Sequence, residues 1–147
     1  IRDRTSAVQL ARYHGAQVSG VCSTRNIDLV KSLGAKTVLD YTKEDRPPEG
    51  EFYDFIFDAA GKRKSSKLKE QCKNVLTPNG FYISVDDGSP RDTIENLRLL
   101  TELLEADQLK PVIDRRYTLE QIVEAHRYVD QGHKKGNVII TVGKSNT

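Results

Sequence analysis

At 147 residues the chain is long enough to bury a core and short for a two-domain enzyme, so one compact unit is expected. Lys and Arg number 23 against 21 Asp and Glu, interspersed for a formal net charge of +2, which leaves no basic stripe to track a nucleic-acid backbone. Cys22 and Cys72 are too few for a disulfide framework or a four-thiolate zinc site, and no apolar run is long enough to span a bilayer.

The start, Ile1-Arg2-Asp3-Arg4, lacks the apolar core of a signal peptide, so a soluble cytoplasmic protein is expected. There is no methionine, not even at position 1, which suggests a trimmed or partial translation product. Thr5 and Ser6 precede apolar residues at helical spacing over 7–15, with Gly15 as a stop. Residues 17–22 read as a short buried strand, 26–33 closed by Gly34 as a helix, and 37–41 as a second strand. The polar, proline-bearing stretch 43–51 reads as a surface loop.

The run Tyr53-Asp54-Phe55-Ile56-Phe57-Asp58-Ala59-Ala60-Gly61 is the strongest strand signal and ends in small residues that let a ligand approach the backbone. An amphipathic helix follows over 64–74, and Pro78-Asn79-Gly80 reads as a turn into a strand over 81–85. Over 92–106, Ile94, Leu97, Leu100, Leu103 and Leu104 share one helical face; 111–117 is extended and feeds a capped helix over 118–129; 136–142 is the last strand. Helices between short apolar strands predict an α/β fold with a parallel sheet covered on both faces. Ligands of such sheets bind beyond the carboxyl ends of the strands, here near residues 23–26, 40–41, 59–61 and 85–88.

The turn Cys22-Ser23-Thr24-Arg25-Asn26 has no acid of its own. A carboxylate there would hold both adenine-ribose hydroxyls, whereas hydroxyls with a guanidinium suit a 2′-phosphate; equally, Ser23 or Thr24 caps the next helix and Arg25 is solvated. Tyr41 is placed to lie beside such a phosphate, or to pack. His14, His126 and His133 share no local pattern and are read as solvated or structural.

The segments Ala7-Val8-Gln9-Leu10-Ala11, Gly15-Ala16, Val21-Cys22-Ser23-Thr24, Ser32-Leu33-Gly34-Ala35, Val38-Leu39-Asp40-Tyr41, 53–61 and Gly136-Asn137-Val138-Ile139-Ile140 stand in an order and spacing that resembles the cofactor domain of medium-chain dehydrogenases/reductases. The match is closest to their zinc-independent, quinone-oxidoreductase-like branch. The resemblance implies a Rossmann-like doubly wound parallel sheet over 1–147, binding NADP(H), in an oxidoreductase that reduces a quinone, an enone or a related carbonyl substrate without catalytic zinc. By position it implies Ser23, Thr24, Arg25 and Tyr41 around the 2′-phosphate. Ala60 and Gly61 would lie along the middle of the cofactor, Val85 near the nicotinamide, and Asn137 near the cofactor or its covering loop. No catalytic residue and no metal ligand is nominated.

The family's first strand and glycine-rich turn are missing, which puts Arg2, Asp3 and Arg4 where small glycines would admit the pyrophosphate. The N-terminal catalytic domain is expected to be absent too, and this chain alone is expected to be inactive. The lost strand would leave unpaired edges at Val18 and Phe55, and the extended piece 111–117, which pairs with the absent domain in the family, is expected to be loose. Expected partners are a small-molecule substrate in the parent protein and a second copy in a homodimer, with no nucleic acid. A non-catalytic nucleotide-binding or interaction module of the same fold is the competing class. A methyltransferase ranks third, since it would want an acid at the second strand end.

Overall fold

In the computed structural model of the chain, residues 4–63, 66–88, 92–132 and 134–143 are described, Arg4 and Arg63 by backbone alone. Arg2, Asp3, Lys64 and His133, each part of an expectation above, lie outside them. Helix α1, Arg4–Tyr13, begins before Thr5 and Ser6, so these hydroxyl residues sit inside its first turn. It ends where Gly15 adopts φ +80°, and the Ala16 amide donates back to the Ala11 carbonyl (3.0 Å), satisfying an end carbonyl as glycine caps do.

Three strand–helix–strand units follow. Strand β1, Ser19–Cys22, leads through one 3₁₀ turn, Thr24–Asn26, and helix α2, Ile27–Ser32, to strand β2, Thr37–Asp40. Strand β3, Tyr53–Asp58, leads through helix α3, Lys67–Cys72, to strand β4, Leu76–Ser84. Helix α4, Ile94–Glu105, intervenes before strand β5, Ile113–Thr118, helix α5, Ile122–Asp130, and strand β6, Asn137–Thr141. Each unit closes a parallel pair, β1–β2, β3–β4 and β5–β6, because a helical crossover returns the chain in its original direction.

Among the described residues the pairs form three two-stranded sheets, so β1 and β3 each keep one unpaired edge, the edges expected from the sequence. The Tyr53 phenol at the start of β3 lies within reach of the Ser19 side chain at the start of β1, so these two edge strands run near each other.

Two expectations need correction. Pro78-Asn79-Gly80 lies within β4 instead of turning the chain into it: Tyr53 stands opposite Leu76 but Phe55 opposite Phe81, and the extra residues are taken up where proline cannot join the ladder. A Cβ on Gly80 would meet the Tyr53 carbonyl oxygen at 2.8 Å, so glycine permits the close approach of β3 at this bulge. Nor is 111–117 loose. It forms β5, and Thr118 makes a reciprocal capping box with Gln121 at the turn into α5.

The core is small and local. Gly20 of β1 is packed by Val30 of α2, and Leu39 is buried in β2. Leu68 of α3 is 0% exposed. Helix α1 is tied down at both flanks: its Arg12 side chain lies over Gly34, and Gln9 exchanges two hydrogen bonds with the Lys110 backbone (3.0 and 2.9 Å). Helix α3 meets one face of β3–β4 through Lys69, which pairs with Asp58, and Lys73 just beyond the helix covers the Tyr82 ring at 4.8 Å. On the other face Phe55, Phe57, Phe81 and Ile83 are exposed, with Phe55 and Phe81 in ring contact at 4.8 Å. The α4 stripe buries only Leu103; Leu97 is 61% exposed.

Leu68→Ala is therefore expected to lower unfolding free energy by about 2–5 kcal/mol, while Leu97→Ala changes it by less than about 0.5 kcal/mol. Urea unfolding of the two variants side by side checks this; equal losses would show that α4 is as well packed as α3.

Candidate cofactor site at the strand ends

Seven of the eight residues nominated from sequence stand at, or immediately after, the carboxyl ends of strands. Ser23, Thr24 and Arg25 follow β1, Tyr41 follows β2, Ala60 and Gly61 follow β3, and Val85 follows β4. Asn137 differs. It opens β6 opposite Ile113, at the amino end of its strand pair.

The structure groups the seven into two clusters. The first is organised by Asp40, the last residue of β2, which is 3% exposed. Its Oδ2 accepts from Thr24 Oγ1 (2.5 Å), and its Oδ1 accepts from the Thr42 hydroxyl (2.6 Å) and amide (3.0 Å). These hydrogen bonds, from Thr24 first and then Thr42, hold its carboxyl below the ordinary carboxylate range although burial opposes them. The Asp40 amide donates to Glu44 Oε1 (2.8 Å), and the Tyr41 amide donates to the Cys22 carbonyl (3.1 Å), which locks the β2 end onto the β1 end. Beside this cluster Ser23 Oγ accepts from Asn26 Nδ2 (3.2 Å), Arg25 is exposed, and Asn26 Oδ1 is buried with no partner among the described residues.

The second cluster is organised by Asp58, the last residue of β3, which is 9% exposed. It accepts from the amides of Ala60 (2.9 Å) and Gly61 (3.1 Å) and from the Tyr82 hydroxyl (2.7 Å), and it pairs with Lys69 Nζ at 2.8 Å. Lys69 also donates to the Gly61 carbonyl, so one ammonium clamps both sides of the turn. Burial alone would raise the Asp58 pKa; hydrogen bonds from Lys69, Tyr82 and the two amides outweigh it and hold it at about 2. Burial, then the bond to Asp58, pushes the Tyr82 phenol up.

Gly61 adopts φ +61°, and a Cβ there would run into the Asp86 carboxylate, to which the Lys62 amide donates. The Val85 amide donates to the Asp58 carbonyl (3.1 Å). The loops after β3 and β4 are thereby joined. Asp40, Asp58, Lys69 and Tyr82 were not among the nominated residues. Each aspartate could have been found as a carboxylate closing an apolar strand, but its partners lie 11 to 24 residues away or follow the next turn. His14 and His126 are exposed. Among the described residues no group of three or more His, Cys, Asp and Glu is placed to hold a metal ion, and no helix is long and apolar enough to cross a membrane.

A family model described as zinc-binding dehydrogenase matches residues 89–140. The chain is 31% identical over 144 residues to 2-methylene-furan-3-one reductase of Solanum lycopersicum, and equally to the chloroplastic NADPH-dependent alkenal/one oxidoreductase of Arabidopsis thaliana; 90% of this chain and 36% of each relative is covered. It is 29% identical over 160 residues to the chloroplast envelope quinone oxidoreductase homolog of Arabidopsis thaliana, covering 91% of this chain and 47% of that one. The solved quinone oxidoreductase from Coxiella burnetii superposes with a TM-score of 0.78 at 25% identity, over 94% of this chain and 49% of that one.

The fold is thus of the Rossmann type found in that oxidoreductase. The chain is similar to relatives named as quinone and alkenal oxidoreductases, and it spans less than half the length of the curated relatives it matches. Several relatives are named as chloroplastic or mitochondrial, which gives the cytoplasmic expectation no support.

Because the Asp58 pKa is depressed from its ordinary 3.8 to about 2, the clamp contributes stability above the unfolded-state value and loses it as pH falls through about 2. Asp58→Asn is expected to abolish about 2 kcal/mol of the acid-dependent stability that wild type loses between pH 4 and 2. Urea midpoints of both proteins across that range test this, and parallel acid limbs would refute it.

Proposed function

We propose that the chain is the NADP(H)-binding domain of a zinc-independent oxidoreductase that reduces a quinone, an enone or a related carbonyl substrate. The observation that carries this reading is the donor set after β1: an exposed guanidinium at Arg25 and a Ser23 hydroxyl whose proton has no acceptor among the described residues, beside Tyr41. Both donors match the acceptor-only chemistry of a phosphate. The names of the relatives, an NADPH-dependent alkenal/one oxidoreductase and quinone oxidoreductases, support the same reading.

In this reading Ser23, Arg25 and Tyr41 surround the 2′-phosphate with Thr24 alongside in the same turn, Ala60 and Gly61 line the middle of the cofactor, and Val85 lies toward the nicotinamide. The Asp58–Lys69 clamp fixes the shape of the Ala60–Gly61 turn. Asn137, at the amino end of its strand, is assigned to a covering segment. The nicotinamide supplies the hydride when bound, and the residues of this chain bind and orient it. The reducible substrate meets residues of the longer protein.

Arg25→Ala is expected to weaken NADPH binding at least about tenfold and NADH binding by less than about twofold, since only the 2′-phosphate loses a charged partner. Fluorescence titration of both nucleotides decides it. Equal losses, or no binding of either by wild type, would overturn the assignment.

A further inference from the structure

A hydroxyl group has one proton to give, and in the β1–β2 cluster the protons are already committed. Asp40 is buried and ionised, so both of its oxygens only accept. Oδ2 takes the proton of Thr24 and Oδ1 that of Thr42. The two hydroxyl oxygens stand 3.2 Å apart, and with both protons turned to Asp40 each has lone pairs alone for any other partner. A phosphate dianion also has acceptors alone. Thr24, although exposed at the turn, therefore has nothing to donate to a phosphate while Asp40 is charged; it can accept from a sugar hydroxyl.

Ser23 is the opposite case, since it accepts from Asn26 and keeps its own proton. No ammonium or guanidinium hydrogen-bonds Asp40 among the described residues; Lys43 acts on it only through space. Its charge is thus set behind the turn at which a 2′-phosphate would sit, and it opposes that phosphate through a medium less screening than bulk water.

We propose that Asp40 is a positioning residue that sets nucleotide specificity: by drawing in the hydroxyl protons of Thr24 and Thr42, it turns this strand end toward a ribose hydroxyl and leaves Ser23 and Arg25 as the phosphate donors of the turn. The inference rests on the cofactor reading above and deepens it. The preference for a 2′-phosphorylated nucleotide is smaller than the residue types of the turn would allow, and the limit lies in a residue that touches no ligand.

The test is the ratio of NADPH to NADH affinity, measured by fluorescence titration in wild type, Asp40→Asn and Thr24→Val. An asparagine removes the charge and, as it donates through its own amide to one threonine, releases that hydroxyl proton outward. Asp40→Asn is expected to raise the ratio about tenfold. Thr24→Val is expected to move it by less than about twofold, because the lost hydroxyl donated to Asp40 and not to phosphate. A ratio that stays or falls in Asp40→Asn overturns the inference, and so does a tenfold fall in Thr24→Val. Thr24 is exposed, so its variant keeps the test decisive even where Asp40→Asn does not fold. Wild type that binds neither nucleotide overturns the cofactor reading and this inference with it; wild type that binds both while the Asp40→Asn ratio stays put overturns this inference alone.

Discussion

A carboxylate taken out of water at the end of a strand has to be hydrogen-bonded on both oxygens, and this requirement organises the end of the molecule at which a ligand would bind. Two of the parallel pairs carry such a group, Asp40 at the end of β2 and Asp58 at the end of β3. Neither can satisfy itself within its own strand. Asp40 draws in a hydroxyl from the turn after β1 and a hydroxyl and amide from the turn after β2; Asp58 draws in two amides of the turn after β3, a phenol from β4 and an ammonium from α3. The irregular segments acquire fixed shapes because buried charge demands their donors. Loops that would otherwise be free to fray become part of the scaffold.

The two carboxylates differ in how their charge is met. Asp58 is neutralised by Lys69, so the β3–β4 end gains rigidity with the charge of Asp58 met at contact distance. Asp40 is stabilised by neutral hydroxyls and an amide, so its negative charge persists beside the turn that bears Arg25. Removing Lys69 would strand a buried carboxylate, whereas removing Thr24 would leave Asp40 its Thr42 bonds. The Asp58 cluster is built for shape and the Asp40 cluster for electrostatics, and a dinucleotide laid along the strand ends would meet these in turn.

Much of the fold was legible in the sequence because short apolar runs and glycine stops report local geometry. The runs around Val21, Leu39, Phe55 and Ile139 all became strands, and Gly15 and Gly34 both adopt positive φ just after a helix. What was not legible depends on pairing across distance. Pro78-Asn79-Gly80 has the composition of a turn, yet the ladder to β3 carries it within a strand as a bulge. The extended segment at Ile113 looked unpaired until β6 was set beside it. For the site, the turn after β1 was identified by residue type, but an acid was sought only inside that turn. The one that matters is 16 residues from Thr24, and only the parallel register of Cys22 opposite Asp40 brings it there.

The same register explains why the outer surfaces are less settled than the strand ends. A parallel pair alternates its side chains between two faces, so Ile56, Asp58 and Tyr82 turn toward α3 together, and Phe55, Phe57, Phe81 and Ile83 must turn away together. One face is closed by an ion pair, a phenol and a buried leucine; the other is apolar, contiguous and exposed. Parallel sheets are stable when both faces are covered, and a bare aromatic face beside the unpaired edge of β3 is not a surface that an isolated domain gains by keeping. Yet Asp58 and Tyr82, which organise the end of β3–β4, lie on the face opposite Phe55 and Phe81. The Asp58 cluster is therefore separated from whatever meets Phe55 and Phe81, and the two can vary independently.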